Sequence, residues 1–254
     1  MNQTKIKKYL FETMNLQYLF NSIVNDNWIN QKDYKWDVSM FVEIGEMLAS
    51  TGYKHWKNEP FDLENIKMEI VDVYHFWLSW GLVKTLEDND SYSNKTNEIS
   101  KEQKNDLVFQ LLDKTENILN EYYNLNPLQY NPLILDHKHK EHFTQLLKKY
   151  SFEFTKNLID NNIEESFKSL ISLIHVCFID FEEFYSLYLA KNALNKFRQS
   201  NGYKNGTYKK IWHSNLEDNY HVSNIIKNIK ELEEFENYLN LEYILEKMTI
   251  EYKK

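Results

Sequence analysis

The chain has 254 residues, with 30 Lys and Arg against 38 Asp and Glu and a formal net charge of -8. That balance disfavours general nucleic-acid binding, which needs a basic surface, and leaves room only for a local basic pocket. Five Gly and three Pro are few for a strand-rich fold, whose turns consume those residues, so long helices are expected. The N-terminus has no apolar signal-peptide core. Apolar residues at Ile6, Leu10, Met14, Leu16, Leu19, Phe20 and Ile23 mark a helix over 5–25. A second helix starts near Asp33 or Tyr34 and runs to about Ala49, where Thr51-Gly52 ends it. A short loop reaches Pro60, and Asp62 is placed to cap a third helix that continues to about Thr85. Residues 87–105, rich in Asp, Asn and Ser, read as a solvated loop. Helical patterns return over 106–124, and Pro127 and Pro132 punctuate a connector. Further helices are expected over 137–160, 164–178 and 180–199, then a loop over 200–219 and a charged helix over 223–248. The longest apolar runs, 74–83 and 169–179, are shorter than the roughly 20 residues of a membrane span and read as core, so no membrane partner is expected. The single cysteine, Cys177, excludes an internal disulfide framework, reads as a small core residue and fits a cytoplasmic setting. With no repeat and no boundary in composition, the expectation is one all-α domain over 1–254.

Two acidic pairs stand out: Glu43-Ile-Gly-Glu46 and Glu69-Ile-Val-Asp72. At spacing i, i+3 both carboxylates of a pair share one helix face. One such pair is commonly a solvated face. Two pairs on successive helices, each among apolar neighbours, point elsewhere, because carboxylates enter apolar surroundings only when their charge is compensated. Oxygen donors without nearby cysteine suit Mg²⁺ or a similar hard cation, and the natural client of such a site is a polyphosphate. One carboxylate turned away from the metal could orient water as a general base.

A second block gathers Lys191, Arg198, Lys204, Lys209 and Lys210, interleaved with Tyr203 and Tyr208. Arg offers bidentate phosphate contacts and Lys a mobile charge. Gly202 and Gly206 permit a sharp turn or close backbone approach. Alone, such a block is most often a basic surface loop; beside a carboxylate cage it completes what a Mg-triphosphate site requires. The run His137-Lys-His139-Lys-Glu-His142 reads as a polar helix start, since no second cluster completes a metal shell.

Glu43-Ile-Gly-Glu46, Tyr53-Lys54-His55-Trp56-Lys57-Asn58 and Glu69-Ile-Val-Asp72-Val-Tyr-His75-Phe76, followed by the blocks at 191–199 and 201–212, resemble the dimeric all-α dUTPase family in order and spacing. That family is a branch of the all-α NTP pyrophosphatase, MazG-like superfamily. The resemblance implies Mg²⁺-dependent hydrolysis of dUTP to dUMP and pyrophosphate, with two or more ions per site. Such a reaction keeps uracil out of DNA and supplies dUMP for thymidylate synthesis. It also implies a homodimer, with dUDP as a further candidate substrate. By resemblance, Glu43, Glu46, Glu69 and Asp72 match the metal ligands, and Glu46 also matches the residue that orients water. Gln17, Asn21, His75 and Asn195 match positions near the nucleoside, and Trp56 a pocket wall. Lys191, Arg198, Tyr203, Lys210 and Asn219 match phosphate-side contacts. The loop around 213–216 is longer than the family pattern, 86–180 carries no specific match to it, and 86–136 within that stretch reads as a family-variable insertion. The choice of uracil over cytosine comes from the resemblance alone.

Three other readings remain at this point. Another dNTP pyrophosphatase of the same superfamily, acting on dCTP or broadly, would share the acidic pairs. A ferritin-like di-metal bundle would use Asp72-Val-Tyr-His75 as a carboxylate-x-x-His motif, although the first pair lacks its histidine. A non-catalytic helical interaction protein would need neither.

Overall fold

The computed structural model describes residues 3–54, 56–57, 60–89, 99–123 and 137–254. The fold is all-α. Among the described residues no strand forms, and an isolated antiparallel bridge joins Ile211 to Glu217. The backbone divides into two compact units, Met1–Phe181 and Glu182–Lys254. Nothing in composition marks that division, which is why the sequence reads as a single domain.

In the first unit, α1 (Gln3–Val24) buries Ile6, Leu10 and Met14. Leu19 and Ile23, part of the same apolar stripe, are exposed. A short 3-10 turn at Trp28–Asn30 sinks Trp28 and Ile29 into the core. Helix α2 (Trp36–Ala49) ends where expected, with Gly52 at φ +68° turning the chain. Helix α3 (Leu63–Glu87) starts at the expected cap: the amide of Asn65 donates to Asp62 Oδ1 at 3.0 Å. Helix α3 is buried on nearly every side and packs against α1, α2, α4 and α6. Those helices are α4 (Lys101–Tyr123), α5 (His137–Ile159) and α6 (Ile163–Cys177), with α5 lying along α6 and also touching α2. Apolar residues all round a helix are what a central position demands.

Helix α4 begins five residues before the expected 106. Ser100 and Gln103 form a capping box there: Gln103 N donates to Ser100 Oγ at 3.2 Å, and Ser100 N donates to Gln103 Oε1 at 2.8 Å. That reciprocal pair satisfies two amides that a loop would leave to water. Residues 90–98 of the loop expected over 87–105, the connector with Pro127 and Pro132, and the side chain of His137 lie outside the described residues. No helix among the described residues is long and apolar enough to cross a membrane. Cys177 is buried.

The first unit's core carries a testable polar contact. Thr13 Oγ1 donates to the Leu10 carbonyl at 2.9 Å and so accepts from the Tyr74 hydroxyl at 2.8 Å. Tyr74 is fully buried, and that burial pushes its phenol well above the ordinary tyrosine value. A raised folded-state pKa means the proton is held more tightly in the folded protein. Its contribution to stability is therefore complete below about pH 10, the unfolded value, and fades as pH rises further. Ultraviolet titration is expected to show Tyr74 resisting ionisation until the protein unfolds, with Tyr74→Phe removing that late-ionising phenol.

The second unit contains the body of α7 (Phe181–Ser200). An irregular stretch follows, with 3-10 turns at Tyr203–Asn205 and His213–Asn215, then α8 (Asp218–Lys230) and α9 (Leu241–Tyr252), which pack together. The expected single helix over 223–248 is two helices. Glu231, Glu233, Glu234 and Glu236 crowd just past α8, where the helix dipole and their mutual repulsion oppose further turns. Glu234 takes φ +53°, and Asn240 opens α9 by accepting from the Tyr243 amide at 3.0 Å. Packing of Phe197, Trp212 and Tyr252, with ring centroids 5.3–5.8 Å apart, closes this unit.

Candidate active site

Burial of Met40, Ile44 and Met47 on α2 and of Ile66, Ile70 and Val73 on α3 draws these helices together. Their acidic faces meet as a result. Glu43, Glu69 and Asp72 each offer a carboxylate oxygen, and these atoms lie within 4.8 Å of one another. Glu69 is only 8% exposed. Asn65, one turn earlier on α3, donates through Nδ2 to Glu69 Oε1 at 3.1 Å and to Ser50 Oγ at 2.8 Å, steadying the carboxylate from the α2 end. The i, i+4 spacing of Asn65 and Glu69 is a signal the sequence carries and the motif reading missed.

Three carboxylates at that separation repel unless a cation intervenes. An all-oxygen donor set fits a hard divalent ion of the Mg²⁺ class. The trio itself contains no imidazole. Glu46, taken from the sequence as the fourth ligand, is not one of the three: it is exposed on α2, one turn after Glu43.

Gln17, Asn21 and His75 are all buried. Gln17 Nε2 donates to Asn21 Oδ1 at 2.9 Å and to Ser79 Oγ at 3.1 Å, and Asn21 Nδ2 donates to Ser79 Oγ at 2.8 Å. Ser79 in turn donates to the His75 carbonyl at 3.0 Å. The structure thus joins α1 and α3 through a polar cluster whose hub, Ser79, carries no motif of its own. Trp56 is 66% exposed and meets Tyr53 edge-on.

In the second unit, Lys191 Nζ reaches Asn219 Oδ1 at 3.4 Å. Asn195 is half-buried on α7, while Tyr203 and Lys210 are exposed. Gly202 and Gly206 both adopt positive φ, +89° and +71°. At Gly202 a Cβ would fall 2.0 Å from Thr207 Oγ1, so only glycine fits that turn.

Arg198, expected on the phosphate, is committed elsewhere. Its Nε donates to Asp218 Oδ2 and its Nη2 to Asp218 Oδ1, each at 2.8 Å. Tyr208 Oη donates to Asp218 Oδ2 at 2.9 Å, and the Asn219 amide to Oδ1 at 2.8 Å. Burial opposes the charge of Arg198, but the Asp218 hydrogen bonds, the Asp218 charge and the nearby Tyr208 and Tyr203 together outweigh it and hold the guanidinium above its ordinary value. Burial, and then the Asp218 charge, push the Tyr208 phenol upward. Asp218 had no sequence signal, because a lone aspartate after a loop looks like any helix-initiating residue.

The sequence profile of the dUTPase family matches residues 9–203. That span includes Gln17, Asn21, Glu43, Glu46, Trp56, Glu69, Asp72, His75, Lys191, Asn195, Arg198 and Tyr203, and it stops short of Lys210, Asn219, α8 and α9. No curated protein sequence matches the chain.

Proposed function

The chain belongs to the dUTPase family and is an enzyme of dUTP hydrolysis, and from that premise we propose that it cleaves dUTP to dUMP and pyrophosphate with Mg²⁺ held by Glu43, Glu69 and Asp72. The observation that carries this reading is the meeting of those three carboxylates within 4.8 Å, inside the matched span. When bound there, Mg²⁺ supplies charge neutralisation for a triphosphate and polarisation of water. Glu46 stands one turn along α2, exposed and outside the trio. In that position its carboxylate accepts the proton of the attacking water as general base.

The buried amides of Gln17 and Asn21, ordered by Ser79, present a preset polar edge to the base. An edge matched to uracil penalises cytosine, because a mismatched buried donor or acceptor goes unsatisfied. His75 lies on the same helix, one turn beyond Asp72. Lys191, Asn195, Tyr203, Lys210 and Asn219 serve the substrate as further contacts, and Arg198 shapes that region through Asp218. The homodimer is part of the same proposal. Val38, Phe41 and Val42, spaced i, i+3, i+4 on α2, form an exposed apolar strip that a second copy would cover.

Purified protein incubated with Mg²⁺ and each of dUTP, dCTP, dTTP, dATP and dGTP tests the reading by release of pyrophosphate. Release from dUTP alone is the expected result. Comparable turnover of dCTP or of several nucleotides would overturn the uracil assignment, and release of orthophosphate instead would overturn the cleavage position.

A further inference from the structure

Beyond the span matched by the family profile, two histidines and a glutamate meet in the second unit. One ring nitrogen each of His213 and His221 and one carboxylate oxygen of Glu251 lie within 4.8 Å of one another. They come from three separate segments: the turn His213–Asn215, α8 and α9. We propose that His213, His221 and Glu251 form a zinc site that clasps this turn and both helices together, separate from the carboxylate trio of α2 and α3.

The tautomers favour a metal. His221 Nε2 lies 3.2 Å from the His213 carbonyl, which can only accept, so Nε2 carries the proton. In the neutral ring, Nδ1 then presents a lone pair toward Glu251 Oε1, 3.8 Å away. His213 Nε2 lies 2.7 Å from the same carboxylate oxygen. One proton can bridge His213 and Glu251, but the lone pair of His221 facing the same oxygen gains nothing from it. A cation among the three atoms would satisfy them all.

The outer contacts are those that orient metal ligands. The non-ligating nitrogen of each ring meets an oxygen: His213 Nδ1 is 3.2 Å from Ser214 Oγ, and His221 Nε2 meets the carbonyl. Lys254 Nζ donates to Glu251 Oε2 at 2.8 Å, leaving Oε1 turned toward the imidazoles. Such partners fix ring orientation and tautomer at zinc sites. Two imidazoles and a carboxylate form a recognised zinc donor set, whose ligand atoms sit about 3.3 Å apart when each is 2.0–2.1 Å from a tetrahedral ion. The observed 2.7 and 3.8 Å straddle that value. Side-chain exposure of 28% at His213 and 23% at Glu251 leaves a side open for water as fourth ligand. Imidazole donors select zinc over Mg²⁺, so the two sites discriminate between ions.

The test is zinc content and affinity of the full chain, measured by equilibrium dialysis in excess Mg²⁺. Wild type is expected to retain one zinc per chain, and Glu69→Gln to retain it as well. His221→Gln and Glu251→Gln are expected to bind zinc at least ~10-fold more weakly, the loss that even an outer-contact change produces. Because His221 is buried, His213→Gln, at a more exposed position, gives the same readout if His221→Gln fails to fold. Circular dichroism checks that helicity is kept. Absence of zinc from wild type, or zinc lost in Glu69→Gln and kept in His213→Gln, would overturn the assignment.

Discussion

Asp72→Asn and Glu69→Gln are each expected to lower kcat for dUTP by about 100-fold or more, equivalent to about 3 kcal/mol of lost transition-state stabilisation. Each change removes one charge from a set of three carboxylates lying within 4.8 Å of one another and keeps the shape of the side chain. In Glu69→Gln the carbonyl oxygen still accepts from Asn65. Added Mg²⁺ should raise the melting temperature of wild type, since binding to the folded state at 100 times Kd contributes about 2.7 kcal/mol, and should leave the variants nearly unmoved. Glu46→Gln separates the roles. It should lower kcat while keeping the Mg²⁺-induced rise, because Glu46 stands outside the trio. Wild-type kcat in Asp72→Asn, or an undiminished Mg²⁺ effect on its melting, would remove these carboxylates from the metal site.

Asp218→Ala should cost about 3–5 kcal/mol of stability, the range for removing one partner of a buried ion pair. The side chain of Asp218 is 1% exposed and that of Arg198 12%. Asp218 accepts two hydrogen bonds from Arg198, one from Tyr208 and one from the Asn219 amide. Four donors match the lone-pair capacity of a carboxylate. Alanine would strand a guanidinium and a phenol in a site with little water. Asn would offer one acceptor oxygen and turn an NH₂ toward donors. For a chain of this size, that loss corresponds to a melting temperature lower by about 6–20 °C. Thermal denaturation followed by far-ultraviolet circular dichroism measures it. A shift of under 2 °C would mean that Arg198 is not held by Asp218 and is open to a phosphate, as its place in the basic block first suggested.

Much of the first unit is legible in the chain. The Asp62 cap, the Gly52 stop and the apolar spacing of α2 and α3 are local signals, and local signals survive into the fold. The early start of α4 was legible as well, in Ser100 and Gln103, but needed both members of the capping box to be read together. The break between α8 and α9 was harder. A charged, helix-forming run looks continuous until the repulsion of its glutamates is set against the dipole of the helix before it.

The candidate site divides along the same line. The carboxylate motifs announce themselves by spacing, because i, i+3 positions on one helix face are fixed by the helix repeat. Which of the four acids meet depends on how α2 turns against α3, and that rotation is set by Met40, Ile44 and Met47 seeking burial rather than by the acids. Glu43 is carried inward and Glu46 outward. The chain by itself determined the helical class, the oxygen-rich donor chemistry and the basic block near residue 200. Tertiary structure alone decided that Glu43, Glu69 and Asp72 share one spot, that Arg198 belongs to Asp218, and that His213, His221 and Glu251 converge. These contacts join segments distant along the chain, whose approach is dictated by the packing of apolar residues between them and leaves no periodic trace in the polar residues themselves.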